Sequence, residues 1–213
     1  KNFVTSVFKK RKMKTAIIIG STGLVGSHLV EQLIRSEYYS KVILLNRRKS
    51  SYTHLKLEEY LINFDQPDFS QIKAEDVYCA IGTTLKKAGS KEAQFKIDCE
   101  YPSHFAKLLR GQHAEQFILV SSLGANAEST NFYLRTKGQL EKNVENYHFH
   151  SLLILRPSLI LGNRQEFRLG EKIGTVLMKV LGPLMLGPLK KYKGVQASDI
   201  AAKMIKVANE NLR

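Results

Sequence analysis

The sequence predicts an α/β fold with a doubly wound parallel sheet, helices on both faces and a small C-terminal cap. Apolar runs of strand length alternate with amphipathic segments of helix length, which is typical of such sheets. A glycine-rich loop joins the first run to the first amphipathic segment. The chain of 213 residues is long enough to form one such domain.

The glycine-rich loop, residues 20–26, follows the apolar run 15–19. We expect Gly20 to make the tight turn, Gly23 to let the backbone approach a pyrophosphate, and Gly26 to let helix and strand pack closely. The helix N-terminus then offers N–H groups and a positive dipole end to the phosphates. The loop predicts a Rossmann-type dinucleotide site, and its GxxGxxG spacing favours the short-chain dehydrogenase variant; a glycine loop of purely structural origin is the alternative.

The second apolar run, residues 41–45, ends in Asn46, Arg47 and Arg48. Sites specific for NAD usually carry an acid near this point, which accepts hydrogen bonds from the ribose 2′-hydroxyl. Two arginines stand here instead, and their planar guanidinium groups suit a 2′-phosphate. We therefore expect NADP as the cofactor, with NAD less favoured; a basic surface turn is the alternative.

The later runs continue the alternation. Ligands of open α/β sheets bind beyond the carboxyl ends of the strands. Asp65 ends the predicted third strand, 60–65, where the adenine is expected. Gly82 ends the predicted fourth strand, 77–82, and Thr83 follows it, so we expect both to line the cofactor. The other predicted elements are a helix over 95–109 that is ordered from about Pro102, strand 116–120, helix 131–146, strand 151–157, and helix 199–209 with Ser198 as its N-cap.

Tyr133 and Lys137 lie one turn apart in the predicted helix 131–146, so their side chains share a face. An ammonium near a phenol favours the phenolate, and such a lysine can also hydrogen-bond the ribose of a bound cofactor. Ser121 and Ser122 follow the fifth strand, where a hydroxyl can hold a substrate carbonyl; which of the two acts stays open. The set predicts carbonyl reduction or its reverse, with hydride from a nicotinamide and a proton from Tyr133. An exposed helix pair without a role is the alternative.

Nine stretches together carry a family resemblance: Gly20–Gly26, Asn46–Arg48, Ile81–Thr84, Lys87–Gly89, Val120–Ser122, Tyr133–Gly138, Leu155–Leu161, Asn163–Glu166 and Arg168–Glu171. The chain resembles the atypical short-chain dehydrogenases/reductases. Within them it resembles the NAD(P)-binding, oxidoreductase-like branch named after a Tat-interacting tumour-suppressor protein. The resemblance covers nearly all of residues 14–205.

The resemblance implies a set of site residues, although the substrates of that branch are poorly defined. Leu24 and Val25 are apolar where the branch also places polar residues, so we expect them to meet phosphates through the backbone only. The implied roles are Thr22, Gly23, Leu24 and Val25 on the pyrophosphate, Arg47 and Arg48 on the 2′-phosphate, Ile81 and Gly82 beside the cofactor, Tyr133 and Lys137 in catalysis and on the cofactor, and Ile160 and Arg168 over the nicotinamide end.

Two classes of function follow, an NADP-dependent oxidoreductase acting on a small carbonyl or alcohol, and a module that binds NADP and regulates a partner. The Tyr133–Lys137 pair favours the enzyme, because a sensor needs no proton donor. The net charge is +14, but the sequence has no nucleic-acid recognition motif, so we expect a small-molecule substrate and no nucleic acid. The sequence leaves open whether the protein forms an oligomer.

The cysteine content and the length of the apolar runs lead to expectations about the compartment, metal binding and membrane insertion. Cys79 and Cys99 are the two cysteines and give no disulfide framework, so we expect a cytoplasmic protein. Neither cysteine has a His at metal-ligand spacing, and we expect no metal. No apolar run approaches the ~18–20 residues of a membrane span, and we expect no stable membrane insertion.

We divide the chain into a basic extension, residues 1–12, and a single NAD(P)-binding domain, residues 13–213, in which residues 156–195 form the substrate and cap region. Three interpretations of the extension are open: residues foreign to the working protein, a disordered basic arm, or an amphipathic piece that touches an anionic membrane. We favour the first two, since the extension lacks the long apolar core of a targeting signal.

Overall fold

The computed structural model describes residues 13–68, 70–162 and 194–210. The predicted extension, Arg168 and most of the predicted cap region lie outside these residues. Six strands form one parallel sheet in the order β3-β2-β1-β4-β5-β6, which confirms the predicted fold class. The strands are β1 (Lys14–Ile19), β2 (Tyr39–Asn46), β3 (Leu57–Leu61), β4 (Asp76–Cys79), β5 (Gln116–Val120) and β6 (Ser151–Leu155).

The helices follow the strands along the chain. They are α1 (Leu24–Arg35), α2 (Leu85–Ala88), α3 (Lys91–Phe95), which continues through a π-helical turn (Lys96–Glu100) into α4 (Tyr101–Gly111), then α5 (Phe132–Glu145) and α6 (Ala197–Glu210). A small parallel pair, β7 (Ile160–Leu161) with β8 (Val195–Gln196), was not predicted. Strands of two residues are too short to leave a pattern in the sequence.

The inner strands β1, β4 and β5 are buried on both faces, which explains their largely apolar sequences, whereas the edge strand β3 is partly exposed. Ile17 packs in a cluster with Phe105 of α4, whereas its neighbour Ile18 packs with Leu29 of α1 and Met204 of α6. Burial of one such side chain contributes about 1.5–3 kcal/mol. The strand order reverses between β1 and β4, so a crevice opens at the carboxyl ends of these two strands.

The predicted third strand, 60–65, is wrong. The strand is Leu57–Leu61, and Ile62 N makes the last bond to β2 at Asn46 O. Asn63 Oδ1 then accepts the backbone N–H of Asp65 at 3.0 Å, which forms a local turn in place of further sheet pairing. Asp65 therefore lies in a turn beyond the strand.

Two predicted helix starts are also wrong. The helical segment before β5 begins at Lys91, because Ser90 Oγ caps Ala93 N, and Pro102 lies in the first turn of α4 directly after the π-helical turn. The last helix begins at Ala197, and the Ser198 hydroxyl donates to Asp199 rather than capping the helix.

Candidate active site

The glycine loop begins where β1 meets the carboxyl end of β4. Gly20 has φ +90°, and a Cβ on it would lie 2.9 Å from Ala80 C and Ile81 N. A Cβ on Gly26 would lie 2.0 Å from Gly20 O. The backbones therefore approach to distances that only glycine permits, and the first turn of α1 lies against the end of β1.

The start of α1 is a cradle of backbone N–H groups. Gly23 precedes the helix, its N–H donates to Gly20 O at 3.0 Å, and Thr22 beside it is exposed. Within the described residues no side chain caps this end, and the first turn carries no acid. A Cβ on Gly23 would lie 3.2 Å from Gly20 O and 3.7 Å from Ala80 O. The geometry fits a pyrophosphate group.

The side chains of the next two residues point away from such a ligand. Val25 is buried in the core, and Leu24 packs against Gly162, where a Cβ would lie 2.8 Å from Leu24 Cδ1. Only their backbone N–H groups are available to a phosphate. Gly162 follows Ile160 and the short strand β7, so this strand ends beside the start of α1.

Arg47 and Arg48 lie exposed at the end of β2. The guanidinium carbon of Arg47 lies 5.5 Å from the ring centroid of Phe64. A buried ring under a guanidinium favours the cation and limits its motion. The structure thus leaves two cations open to a ligand at the edge of the crevice.

An acid on the neighbouring strand reaches the same loop, and the sequence did not indicate it. Asn46 is buried and accepts a bond from Ser21 Oγ at 2.7 Å. Its Nδ2 donates to Glu59 Oε1 at 2.7 Å, and Ser50 N donates to the same oxygen at 2.8 Å. Burial raises the pKa of Glu59, but these hydrogen bonds outweigh burial and hold the pKa below its ordinary value.

Asp65 contacts the π-helical turn and α4. Its Oδ1 is 2.6 Å from Lys96 Nζ and accepts a bond from the Tyr101 hydroxyl at 2.7 Å. These bonds, Lys96 first, hold the pKa of Asp65 below its ordinary value. The carboxylate is therefore ionised and already engaged, and contact with an adenine stays a prediction.

The loop after β4 is fixed by a buried acid that the sequence also did not indicate. Thr83 N donates to Asp98 Oδ1 at 2.7 Å, and Asp98 is fully buried in the π-helical turn. A Cβ on Gly82 would lie 3.6 Å from Asp98 Oδ1 and 3.8 Å from Lys137 Nζ. The structure brings Gly82 and the Lys137 ammonium together, with Ile81 partly buried next to them.

Tyr133 and Lys137 lie on α5, close to its start. Asn131 caps the helix, since its Oδ1 accepts Leu134 N at 3.1 Å. Tyr133 is 36% exposed, whereas Lys137 is 3% exposed. The phenol is thus open to a ligand, while the Lys137 side chain is buried, with its Nζ near Gly82.

The two serines after β5 have different surroundings. Ser121 Oγ is shielded from solvent and has no hydrogen-bond partner among the described residues. Ser122 Oγ makes one long bond, 3.4 Å, to Leu123 O. Ser121 is 3% exposed and Ser122 is 9% exposed, so the Ser122 side chain is the more accessible of the two.

The cysteines do not offer a nucleophile. Burial raises the pKa of Cys79 to about 11 and that of Cys99 to about 11. Both are therefore neutral thiols near pH 7, and the thiolate is the reactive form.

α5 is held against the loop that follows the serines. A Cβ on Gly138 would lie 2.1 Å from Ala127 N, and Asn126 N donates to Leu134 O at 3.1 Å. This close approach sets the distance between the serines and Tyr133.

We expect Gly138→Ala to separate α5 from this loop, because the added methyl overlaps the backbone at Ala127. Overpacking of this kind typically destabilises by about 1–3 kcal/mol. Turnover should also fall. Thermal unfolding measures the loss of stability, and steady-state rates measure the loss of turnover. Gly111→Ala is the matched control, since a Cβ there meets nothing within 4 Å; equal behaviour of the two variants would contradict the close contact.

Comparison with known proteins shows the family. The model of the NAD dependent epimerase/dehydratase family matches residues 16–211. The chain is 30% identical over 200 residues to "Protein FMP52, mitochondrial" of Candida glabrata, covering 87% of this chain and 85% of that protein. It is 32% identical over 168 residues to "Protein HTATIP2" of Rattus norvegicus, covering 76% and 69%. The resemblance to the Tat-interacting branch is confirmed.

Solved structures agree on the fold. MoeE5 in complex with UDP-glucose and NAD superposes with a TM-score of 0.70 at 14% identity, covering 92% of this chain and 72% of that one. Bordetella bronchiseptica WbmH in complex with NAD+ superposes with a TM-score of 0.68 at 14% identity, covering 93% of this chain and 73% of that one. At this identity the match concerns the fold alone.

The expected cytoplasmic location is wrong. The FMP52 relatives from Candida glabrata and Candida albicans are named mitochondrial. Cysteine content reports on the redox conditions of a compartment and does not encode its address. In the described parts of the chain, no helix is long and apolar enough to cross a membrane.

The glycine loop at the strand-order reversal, the Tyr133–Lys137 pair and the family match agree with one another. The chain is an NAD(P)-dependent oxidoreductase of the short-chain dehydrogenase/reductase type, and it belongs to the NAD dependent epimerase/dehydratase family.

Proposed function

We propose that the protein is an NADP-dependent oxidoreductase that reduces a small carbonyl compound, with Tyr133 as proton donor, or oxidises the alcohol, with the Tyr133 phenolate as proton acceptor. The observation that carries this proposal is the position of α5. Its exposed Tyr133 and buried Lys137 lie one turn apart, and the lysine reaches the loop after β4 at Gly82.

Each residue has a separate task in this proposal. A bound nicotinamide supplies the hydride. Ser122 Oγ turns from Leu123 O to a substrate carbonyl oxygen and holds it near the phenol. Tyr133 Oη gives its proton to that oxygen, and the Lys137 ammonium stabilises the phenolate that remains. Lys137 would also hold the ribose of a bound cofactor.

The choice of NADP rests on the exposed Arg47 and Arg48 at the end of β2. The strand itself ends in the neutral Asn46, whose amide is already bonded on both sides. A 2′-phosphate bound there gains charge-assisted hydrogen bonds. The related structures contain NAD, so the preference requires its own measurement.

We expect the double variant Arg47→Ala/Arg48→Ala to lose its preference for NADPH over NADH. Loss of a charge-assisted contact costs about 1.5–3 kcal/mol, which corresponds to roughly 10–150-fold in affinity. Calorimetric titration of both cofactors measures the effect. The double variant Lys107→Ala/Lys203→Ala removes the same charge from exposed positions on α4 and α6 and should keep the preference. Equal wild-type affinities for both cofactors would refute the preference for NADP.

The substrate is proposed as a small molecule that enters beside Tyr133. MoeE5 was solved with UDP-glucose, so the test panel joins sugar nucleotides to ketones and aldehydes. Oxidation of NADPH by the wild type in the presence of one panel member supports the proposal. Tight NADPH binding without turnover on any member favours the module that binds NADP and regulates a partner.

A further inference from the structure

A chain of hydrogen bonds links the glycine loop, the end of β2 and the strand β3, next to Arg47 and Arg48 in the sequence. It runs from Ser21 in the glycine loop to Asn46 at 2.7 Å, from Asn46 to Glu59 on β3 at 2.7 Å, and from Glu59 to Ser50 N at 2.8 Å. Ser21 is fully buried and Asn46 is 4% exposed. The pyrophosphate loop and the loop after β2 are therefore joined through side chains.

Glu59 Oε1 accepts from both ends of the segment 46–50. A single oxygen thus closes a five-residue loop, in which Arg47, Arg48 and Lys49 are all exposed. Three adjacent cations repel one another, and a chain in that state tends to open. The two bonds to Glu59 hold the loop closed with its cations turned outward.

An acid near a phosphate site has two opposite effects, and the geometry decides between them. The carboxylate charge repels a phosphate at any distance. Its Oε1 is, however, engaged by two N–H groups, and the charge of Lys49 also acts on the carboxyl. We infer that the positioning effect is the larger one.

We propose that Glu59 is a positioning residue for cofactor specificity, which holds residues 46–50 in the shape that presents Arg47 and Arg48 to the 2′-phosphate. The inference rests on the proposed use of NADP. It assigns a role to a residue from the neighbouring strand, thirteen positions after Asn46 in the chain.

The test compares three variants by calorimetric titration with NADPH and NADH. Glu59→Ala removes the acceptor. It should weaken the affinity for NADPH by about tenfold or more and change the affinity for NADH by less than about threefold, because only the 2′-phosphate contacts lose their preorganisation. Glu59→Gln keeps an acceptor oxygen without the charge and should restore NADPH affinity. Glu58→Ala is the control: Glu58 lies next to Glu59 on β3 and pairs with Lys41 at 2.7 Å instead.

A second readout needs no cofactor. Hydrogen exchange of the Ser50 amide should be slow in the wild type and in Glu59→Gln, and fast in Glu59→Ala. If Ser50 exchange is unchanged in Glu59→Ala, Glu59 does not hold the loop 46–50 closed. If Glu59→Gln and Glu59→Ala lose NADPH affinity equally, the positioning role is overturned. Equal wild-type affinity for NADPH and NADH instead overturns the NADP proposal, while the exchange result still decides whether Glu59 holds the loop.

Discussion

Tyr133→Phe is expected to lower turnover by about 10²-fold or more, the usual scale of general acid–base assistance, and to leave NADPH affinity nearly unchanged. Phenylalanine keeps the ring and removes the hydroxyl that we propose as the proton donor to the substrate oxygen. Tyr133 is partly exposed at the start of α5, so the change should not disturb the core. Single-turnover rates and calorimetry on the same preparation separate the two quantities.

Lys137→Ala should behave differently from Tyr133→Phe. Lys137 is buried beside Gly82, and we expect its loss to reduce both turnover and NADPH affinity, because the proposal also gives it a hydrogen bond to the ribose. Tyr60→Phe is a control for the loss of a phenolic hydroxyl, since Tyr60 is exposed on the edge strand β3. Wild-type turnover in Tyr133→Phe on an accepted substrate would refute the Tyr–Lys mechanism.

Gly23→Val is expected to abolish measurable cofactor binding while the protein stays folded. Its Cβ would lie 3.2 Å from Gly20 O, so the neighbouring backbone must shift slightly. We expect the branched methyl groups to occupy the space proposed for the pyrophosphate. Gly26→Ala should instead destabilise the fold, since its Cβ would lie 2.0 Å from the same oxygen. Cofactor titration and thermal unfolding distinguish the two; wild-type affinity in Gly23→Val would show that the loop is misassigned.

The parts of the fold that were predictable have strong local signals. β1 and β5 are buried on both faces, and burial of that kind requires the continuous apolar runs seen in the sequence. The glycine loop was predictable because Gly20 and Gly26 meet backbone at distances that exclude a Cβ.

The errors arise where a side chain competes with the sheet or helix pattern. Asn63 ends β3 early by bonding Asp65 N, which apolar periodicity does not reveal. The π-helical turn that buries Asp98 depends on its contact with Thr83, fifteen residues earlier. Glu59 was overlooked because its partners come from another strand, and sequence position alone did not place it beside Asn46.

Transfer of deuterium from labelled NADPH to a carbonyl compound tests the central claim most directly. Wild-type protein is incubated with NADPH carrying deuterium at the reactive nicotinamide carbon and with each carbonyl of the panel, and the products are analysed by mass spectrometry. The account predicts an alcohol that has gained one deuterium on the former carbonyl carbon, and about 10²-fold less of it with Tyr133→Phe. Tight NADPH binding with no deuterium in any product would contradict the account.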